Sequence, residues 1–421
     1  MRDAIDFEAM GIPSAVVVAD ALLGPSDAMR RVSGLPEYPL LVTEFPVGSC
    51  TADELAVRAD RLVDAMVSAL YERSGDARAR SAADEAPAAS LFFASEHDAV
   101  EAYTSLGWTD GLPIVAPTRE RVDALLDTVT RASGDIVVCI PTRDGLSATL
   151  HDVAVNAVMA GCTPELFPVV VAAMDAMSDP AHNLHAHTGT MAGAQQLVVI
   201  NGPQRHRLGF RTTDGGLGPG WRANQSVGRS ARLVIRNALG SVHGEFDRAG
   251  FSHPGRVGWC VAEDEERSPW PPIATQASDM ATGVDAVTVY ATVWQASVIC
   301  HDQDAEVLLD ELALATRTGC HVNWLHADVA SDSAFFARRP FLFVTGHEHA
   351  RVLARHGYDD LDRLRRALYA RLTGADSPLR PAAVSDPRNI HIAYLHATGM
   401  QQTWFFAPFQ SHHLVSRTVA P

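Results

Sequence analysis

No CxxC pair occurs in this sequence, and its six cysteines are spread thinly over 421 residues. That pattern excludes a disulfide framework and a structural zinc knuckle, so each cysteine is weighed alone. No apolar run reaches the roughly 18 residues of a membrane span. The opening MRDAIDFEAMGIPS carries Asp3 and Asp6 and lacks the apolar stretch of a secretory signal. Positive charge is short as well: 34 basic against 50 acidic residues give a formal charge of -16, which repels nucleic acid and anionic membrane surfaces. The expectation is a cytoplasmic protein, with no nucleic-acid or membrane partner, that acts on a small molecule. What the chain does have is apolar content, 47%, in a length that favours two or three domains over one.

The patterning predicts an α/β protein. AVVVAD (15–20) and PLLVTEF (39–45) read as buried parallel strands, with a short helix over GPSDAMRRVSG between them. A long helix follows at TADELAVRADRLVDAMVSALYER, where Thr51 and Glu54 form a capping box. Residues 1–73 thus make a small, parallel, Rossmann-like α/β unit. Residues 74–90, small and charged, read as a linker. Residues 91–421 read as a larger mixed α/β domain. Its helices are expected from EHDAVEAYTSLGW, RERVDALLDTV, LHDVAVNAVMAG and PELFPVVVAAMDAMSD, and over 221–239, 304–317, 348–356 and 359–373. Strands are expected at LPIVAP, QQLVVING, VGWCVAE, AVTVYATV and PFLFVTG.

The strongest chemical signal is DGGLGPGWRANQSVGRSARLVIRNALG (214–240), a glycine-rich loop feeding a helix, which suits a cradle for an anion or polar ligand. The spacing fits neither a Walker loop nor GxGxxG, so no nucleotide cofactor is implied. Gly218, Gly220, Arg222, Asn224 and Gln225 are the substrate-binding candidates, with Trp108 and Asp110 as part of the wall. Arg229, Arg232 and Arg236 continue one face of the helix, as a solvated or salt-bridged stripe would.

HNLHAHTGT (182–190) places three histidines in six residues. In an extended segment His185 and His187 would share a face; in a helix His182 and His185 would. Such imidazoles bind Zn, Fe or Cu when a third ligand joins them, here His151, Glu263 or Cys260. GHEHARVLARHG (346–357) lacks the spacing of HExxH and reads as an ordinary helix start. Cys162, in a turn before Pro164 and Glu165 open a helix, is the leading thiol: a helix N-terminus lowers a thiol pKa. Cys260, in a strand ending in acids, has its pKa raised instead.

MRDAIDFEAMGIPSAVVVADAL and GLPEYPLLVTEFPVG with the helix after them resemble the second half of the UGSC-type family, named for its Sec/Cys-Gly-Ser-Cys motif. WTDGLPIVAPT, VAVNAVMAGCTPELFPVVVAAM, VVINGP, GLGPGWRANQSVGRSARLV and EDEERSPW resemble the larger domain found with it. The resemblance implies a redox-type thiol or selenol protein. It also places the family motif before the helix with which this sequence opens, so VGSC at 47–50 reads as a look-alike one strand too late; the expectation is either a small domain that has lost the motif or a sequence that starts at an internal methionine. Such a remnant is expected to pack on the large domain or on a second copy, with a homodimer or a partner subunit as the expected assembly. Three functions follow as expectations: a thiol-dependent redox or addition–elimination enzyme using Cys162, His185 and Glu263 on a small polar or anionic metabolite; a metal-dependent hydrolase or lyase with His185 and His187 as ligands; or a non-catalytic binding subunit.

Overall fold

The computed structural model describes residues 4, 7–8, 10, 12–32, 37–71, 91–140, 146–322, 339–374, 384 and 386–420. The linker expected over 74–90 lies outside the described residues. By contact the chain divides into two compact units, one of Met1–Phe92 with Ile140–Leu146 and Gly240–Arg248, the other of Phe93–Cys139, Ser147–Leu239 and Ala249–Pro421.

In the first unit β1 (Val16–Ala19) and β2 (Leu40–Thr43) pair in parallel, Val16 opposite Leu40 and Ala19 opposite Thr43. A helix at Leu23–Val32 connects them and a second runs over Ala52–Tyr71. The capping box is present: the amide of Glu54 donates to Thr51 Oγ1 at 3.3 Å, and the amide of Thr51 donates to Glu54 Oε2 at 2.7 Å. The long helix buries none of its residues, and Val17 and Val42 on the strands are also exposed.

The second unit holds a two-stranded pair, β3 (Ile136–Cys139) with β4 (Ser147–Thr149), and a seven-stranded sheet. The sheet contains β5 (Gln195–Asn201), β6 (Trp259–Ala262), β7 (Ala286–Ile299), β8 (Phe341–Thr345), β9 (Ile390–Tyr394), β10 (Gln402–Pro408) and β11 (Val415–Thr418). Its order is β6-β5-β7-β10-β8-β9, with β11 beside β7. The pairs β5–β6 and β8–β9 are parallel and the rest antiparallel. The predicted strand at LPIVAP does not form: Val115 makes one backbone bond to Met159 and the segment joins no ladder.

Two apolar clusters set the curvature. One face buries Leu197, Val261, Tyr290, Leu342, Ala393 and Phe406 in a single cluster. Since β6 and β9 are opposite ends of the sheet order yet share it, this face is concave and the sheet curls into a half-barrel. The other face of β8–β10 packs under helices Ala305–Val322, His347–Arg355 and Leu361–Thr373. Burying each Phe or Leu in these layers is worth about 1.5–3 kcal/mol. Helix Arg222–Asn237 lies on β6 at close range: a Cβ on Gly228 would meet the Trp259 nitrogen at 2.8 Å, so only glycine fits there.

Candidate functional site

The gap between β6 and β9 is closed by side chains and one backbone bond, from the Asp264 amide to the Tyr394 carbonyl, instead of a strand. Glu263 Oε1 accepts from the Tyr394 amide at 3.1 Å, and Oε2 accepts from Asn201 Nδ2 and the Ile273 amide, both at 2.7 Å. Gln276 does the same one turn away, donating to the Ile392 carbonyl at 2.7 Å and accepting from the Ile392 amide at 3.1 Å. Burial is the main cause that pushes the Glu263 carboxyl up to about 7, against the donors that favour its charged form. Glu263, expected as a catalytic acid, is thereby committed to holding a sheet edge.

The glycine-rich loop lies over the mouth of this half-barrel. Asn224, fully buried, accepts from the Arg211 amide at 2.9 Å and donates to the Cys260 carbonyl at 3.2 Å, which ties the loop to β6. Gln225 donates to the Gly218 carbonyl at 3.0 Å. Asp214 accepts from the Thr398 amide at 2.7 Å, so the loop is also fixed to the segment after β9. Gly216 permits the close fit, since a Cβ there would meet Leu395 at 3.2 Å and two carbonyls. Under the loop is a cleft of about 180 Å³ lined by Gly215–Gly218, Val344, Gly346, Leu395, Ala397, Gln402 and Trp404. Asn224 and Gln225 therefore position the loop, and of the predicted ligand-binding residues Gly218 lines the cleft. Gly220 and Arg222 are exposed outside it, Arg222 donating to the Gly161 carbonyl at 3.1 Å.

The lining residues Gly346, Leu395 and Ala397 alternate along the chain with residues that bear chemistry. Tyr394 Oη lies 2.9 Å from Nδ1 of His347 and 2.9 Å from Nδ1 of His396, and the two imidazole rings are 4.5 Å apart. Backbone bonds lock this rim: the Asp264 amide to the Tyr394 carbonyl, the His396 amide to the Thr212 carbonyl, and the His347 amide to the Ala397 carbonyl, at 3.0, 3.0 and 3.1 Å. Asp264 is buried; its Oδ2 is 3.5 Å from both Thr212 Oγ1 and Arg267, and its Oδ1 has no partner among the described residues. Burial and the Asp264 charge push the Tyr394 phenol up to about 12. Burial, then Arg267 and His347, lower the His396 imidazole. Both histidines are half-buried.

Neither histidine was singled out by sequence. His347 follows the glycine that ends β8, so the expected helix start is also a strand end, where αβ proteins place chemistry. Its neighbour His349 is structural, bonded to Thr403 Oγ1 and the Cys300 carbonyl at 2.9 and 3.0 Å.

The remaining predicted residues lie apart from this rim. Cys162 is buried beside Ser226 and Ser230, and burial pushes its thiol up to about 12; the lowering expected from the helix N-terminus is overturned because desolvation outweighs it. Burial alone raises Cys260. Asp110 is taken by Arg229 in a bidentate ion pair of 2.8 and 2.7 Å, which makes both structural. Trp108 is 42% exposed and edges onto Tyr103.

The histidine run folds as a short helix, Leu184–Thr188, and the pair that meets is His182 and His187, 4.6 Å apart, not either pairing expected. Both are fully buried; His187 Nε2 bonds the Phe409 carbonyl at 2.9 Å, and neither ring nitrogen of His182 has a partner among the described residues. Phe409 bonds Ala291, opposite the start of β5, whereas Glu263 bonds Ile200 at its end. The separation is roughly 15 Å. His185, half-buried on the same short helix, shares that distance, so His185, His187 and Glu263 form no common centre. Among the described residues no group of three or more His, Cys, Asp or Glu is placed to hold a metal ion. No helix there is long and apolar enough to cross a membrane.

Comparison with known proteins adds one result. The model of the UGSC family matches residues 1–72. No curated protein and no solved structure matches the chain. In the UGSC segment Cys50 is half-buried and its thiol donates to the Pro46 carbonyl at 3.0 Å, immediately before the capped helix. The cleft and its rim lie outside the stretch matched to the UGSC family.

Proposed function

We propose that this chain is an enzyme acting on a small polar or anionic metabolite held under the Gly215–Gly218 loop, with addition–elimination or isomerisation driven by proton transfer at the rim. The carrying observation is the pair of half-buried imidazoles, His347 and His396, joined by the Tyr394 hydroxyl and adjacent in the chain to the cleft-lining Gly346, Leu395 and Ala397. A cleft of about 180 Å³ is smaller than the roughly 300–1,000 Å³ of pockets for drug-sized ligands, which supports a small substrate. All 34 basic residues are arginine, so no lysine is available as a base or for a Schiff base. A thiol-dependent reaction would need Cys162 to ionise, and burial opposes that. Proton transfer therefore falls to imidazole, the group most suited to it near neutral pH, with the Tyr394 phenol linking the two rings.

The test is exchange in deuterium oxide. The protein is incubated with two- to six-carbon hydroxy- and keto-acids, and loss of carbon-bound protons is followed by NMR. Exchange that His396→Ala removes supports the reading. Exchange undiminished in His396→Ala and His347→Ala overturns it, and binding without exchange would make the chain a ligand-binding subunit.

A further inference from the structure

One hydroxyl shared by two imidazoles has a chemical consequence that rests on the acid–base reading above and deepens it. A phenol carries one proton and donates it to one Nδ1 only. The second contact, also 2.9 Å, is a hydrogen bond only if that imidazole carries a proton on its own Nδ1 and donates it to Tyr394 Oη. Two neutral rings bridged in this way hold opposite tautomers. One has a bare Nε2, a base. The other has its proton on Nε2, an acid.

The surroundings favour that state for Tyr394 and His396. Burial and Asp264 hold the proton on Tyr394, and burial with Arg267 and His347 favours the neutral form of His396. Neither Nε2 is hydrogen-bonded within the described residues, and neither is a buried atom, so both face outward from the bridge. Asp264 acts on both Tyr394 and His396 through its charge.

We propose that His347, Tyr394 and His396 form a tautomeric relay that isomerises small α-hydroxycarbonyl compounds. In the first half the bare Nε2 takes the proton of the carbinol carbon: that C–H bond breaks, an N–H bond forms, and the electron pair becomes the C=C bond of an enediol. The Nδ1 proton of that ring passes to Tyr394 Oη while the phenol proton passes to Nδ1 of the other ring. The Nε2 proton of that second ring moves to the carbonyl oxygen, which accepts the displaced π pair. The relay ends with its tautomers exchanged. In the second half the same transfers run in reverse sense on the neighbouring carbon and oxygen, and the relay returns to its starting state with no oxidant, reductant or net charge required.

The first readout needs no substrate. Long-range ¹H–¹⁵N spectra of histidine-labelled protein, with His347→Gln and His396→Gln as assignment controls, are expected to show one of the two rings protonated on Nδ1 and the other on Nε2. In Tyr394→Phe both are expected on Nε2, as in an unconstrained imidazole. Two rings in the same tautomer in the wild-type protein overturn the relay whatever the activity. The second readout uses dihydroxyacetone as the probe in deuterium oxide. Tyr394→Phe is expected to slow carbon-bound exchange about 100-fold, within the range of general acid–base effects, with binding of the probe changed less than about threefold. Exchange lost in His396→Ala but kept in Tyr394→Phe overturns the relay while the acid–base function stands. Opposite tautomers without exchange in the wild type overturn the catalytic use of the relay and the proposed function together.

Discussion

Two histidine pairs in the large unit have almost the same ring separation, 4.6 Å for His182 and His187 and 4.5 Å for His347 and His396, and opposite surroundings. The first is sealed: both rings are fully buried, and burial lowers His182 to about 3. The second is half-buried, next in the chain to residues that line a cleft, with a hydroxyl between its rings. Proximity of imidazoles is therefore no sign of chemistry by itself. Access and a hydrogen-bond partner that fixes the tautomer make the difference.

The comparison breaks most sharply in activity. His396→Ala is expected to lower proton exchange by about 10²- to 10⁴-fold, the usual span for loss of an acid or base, whereas His182→Leu should leave it within about threefold; NMR exchange rates of both variants check this. Loss in the second variant equal to the first would erase the distinction.

Next in size is the closure of the rim. Glu263→Ala leaves the amides of Tyr394 and Ile273 and the Asn201 side chain without their acceptor, a cost of about 3–5 kcal/mol by denaturant unfolding. Imidazole resonances of His347 and His396 should shift, and those of His182 and His187 should hold.

A smaller effect concerns acid. His182 is buried neutral with a folded value near 3 against an ordinary 6.5, so the unfolded chain binds the proton first and stability falls as pH drops below about 6.5. At pH 5 the loss from this group is about 2 kcal/mol, and His182→Leu should flatten the decline of the melting temperature between pH 7 and pH 5.

The smallest effect belongs to the thiol. Cys162→Ala is expected to change exchange by less than about threefold, since a buried thiol held near 12 supplies little thiolate. A loss beyond about 100-fold with folding intact would return the chemistry to Cys162.

Much of the fold was legible in sequence because its elements are long and periodic. The capped helix after Thr51, the Arg222–Asn237 helix and the apolar strands β5 and β8 form where their patterns place them. The pair β3–β4 and strands β9–β11 escaped notice, being short or interrupted by His, Thr and Gln, whose places on a pleat depend on the neighbour they meet. In the site the glycine-rich loop was legible, because glycine at that density has few other uses. The bracing by its neighbours was not: Asn224 and Gln225 bond the backbone of the loop and its approach.

By itself, then, the sequence determined an α/β chain, acidic and without lysine, with a glycine-rich turn leading into a polar helix. Those properties are local, set by composition and by spacing within a few turns. Only the tertiary structure decided which histidines share a hydroxyl. His347 and His396 are 49 positions apart and meet because β8 and β9 pair in parallel and end together, with Tyr394 of β9 carried to the same edge. The local cluster at 182–187, conspicuous in sequence, was folded inward, where burial lowers the imidazoles of His182 and His187.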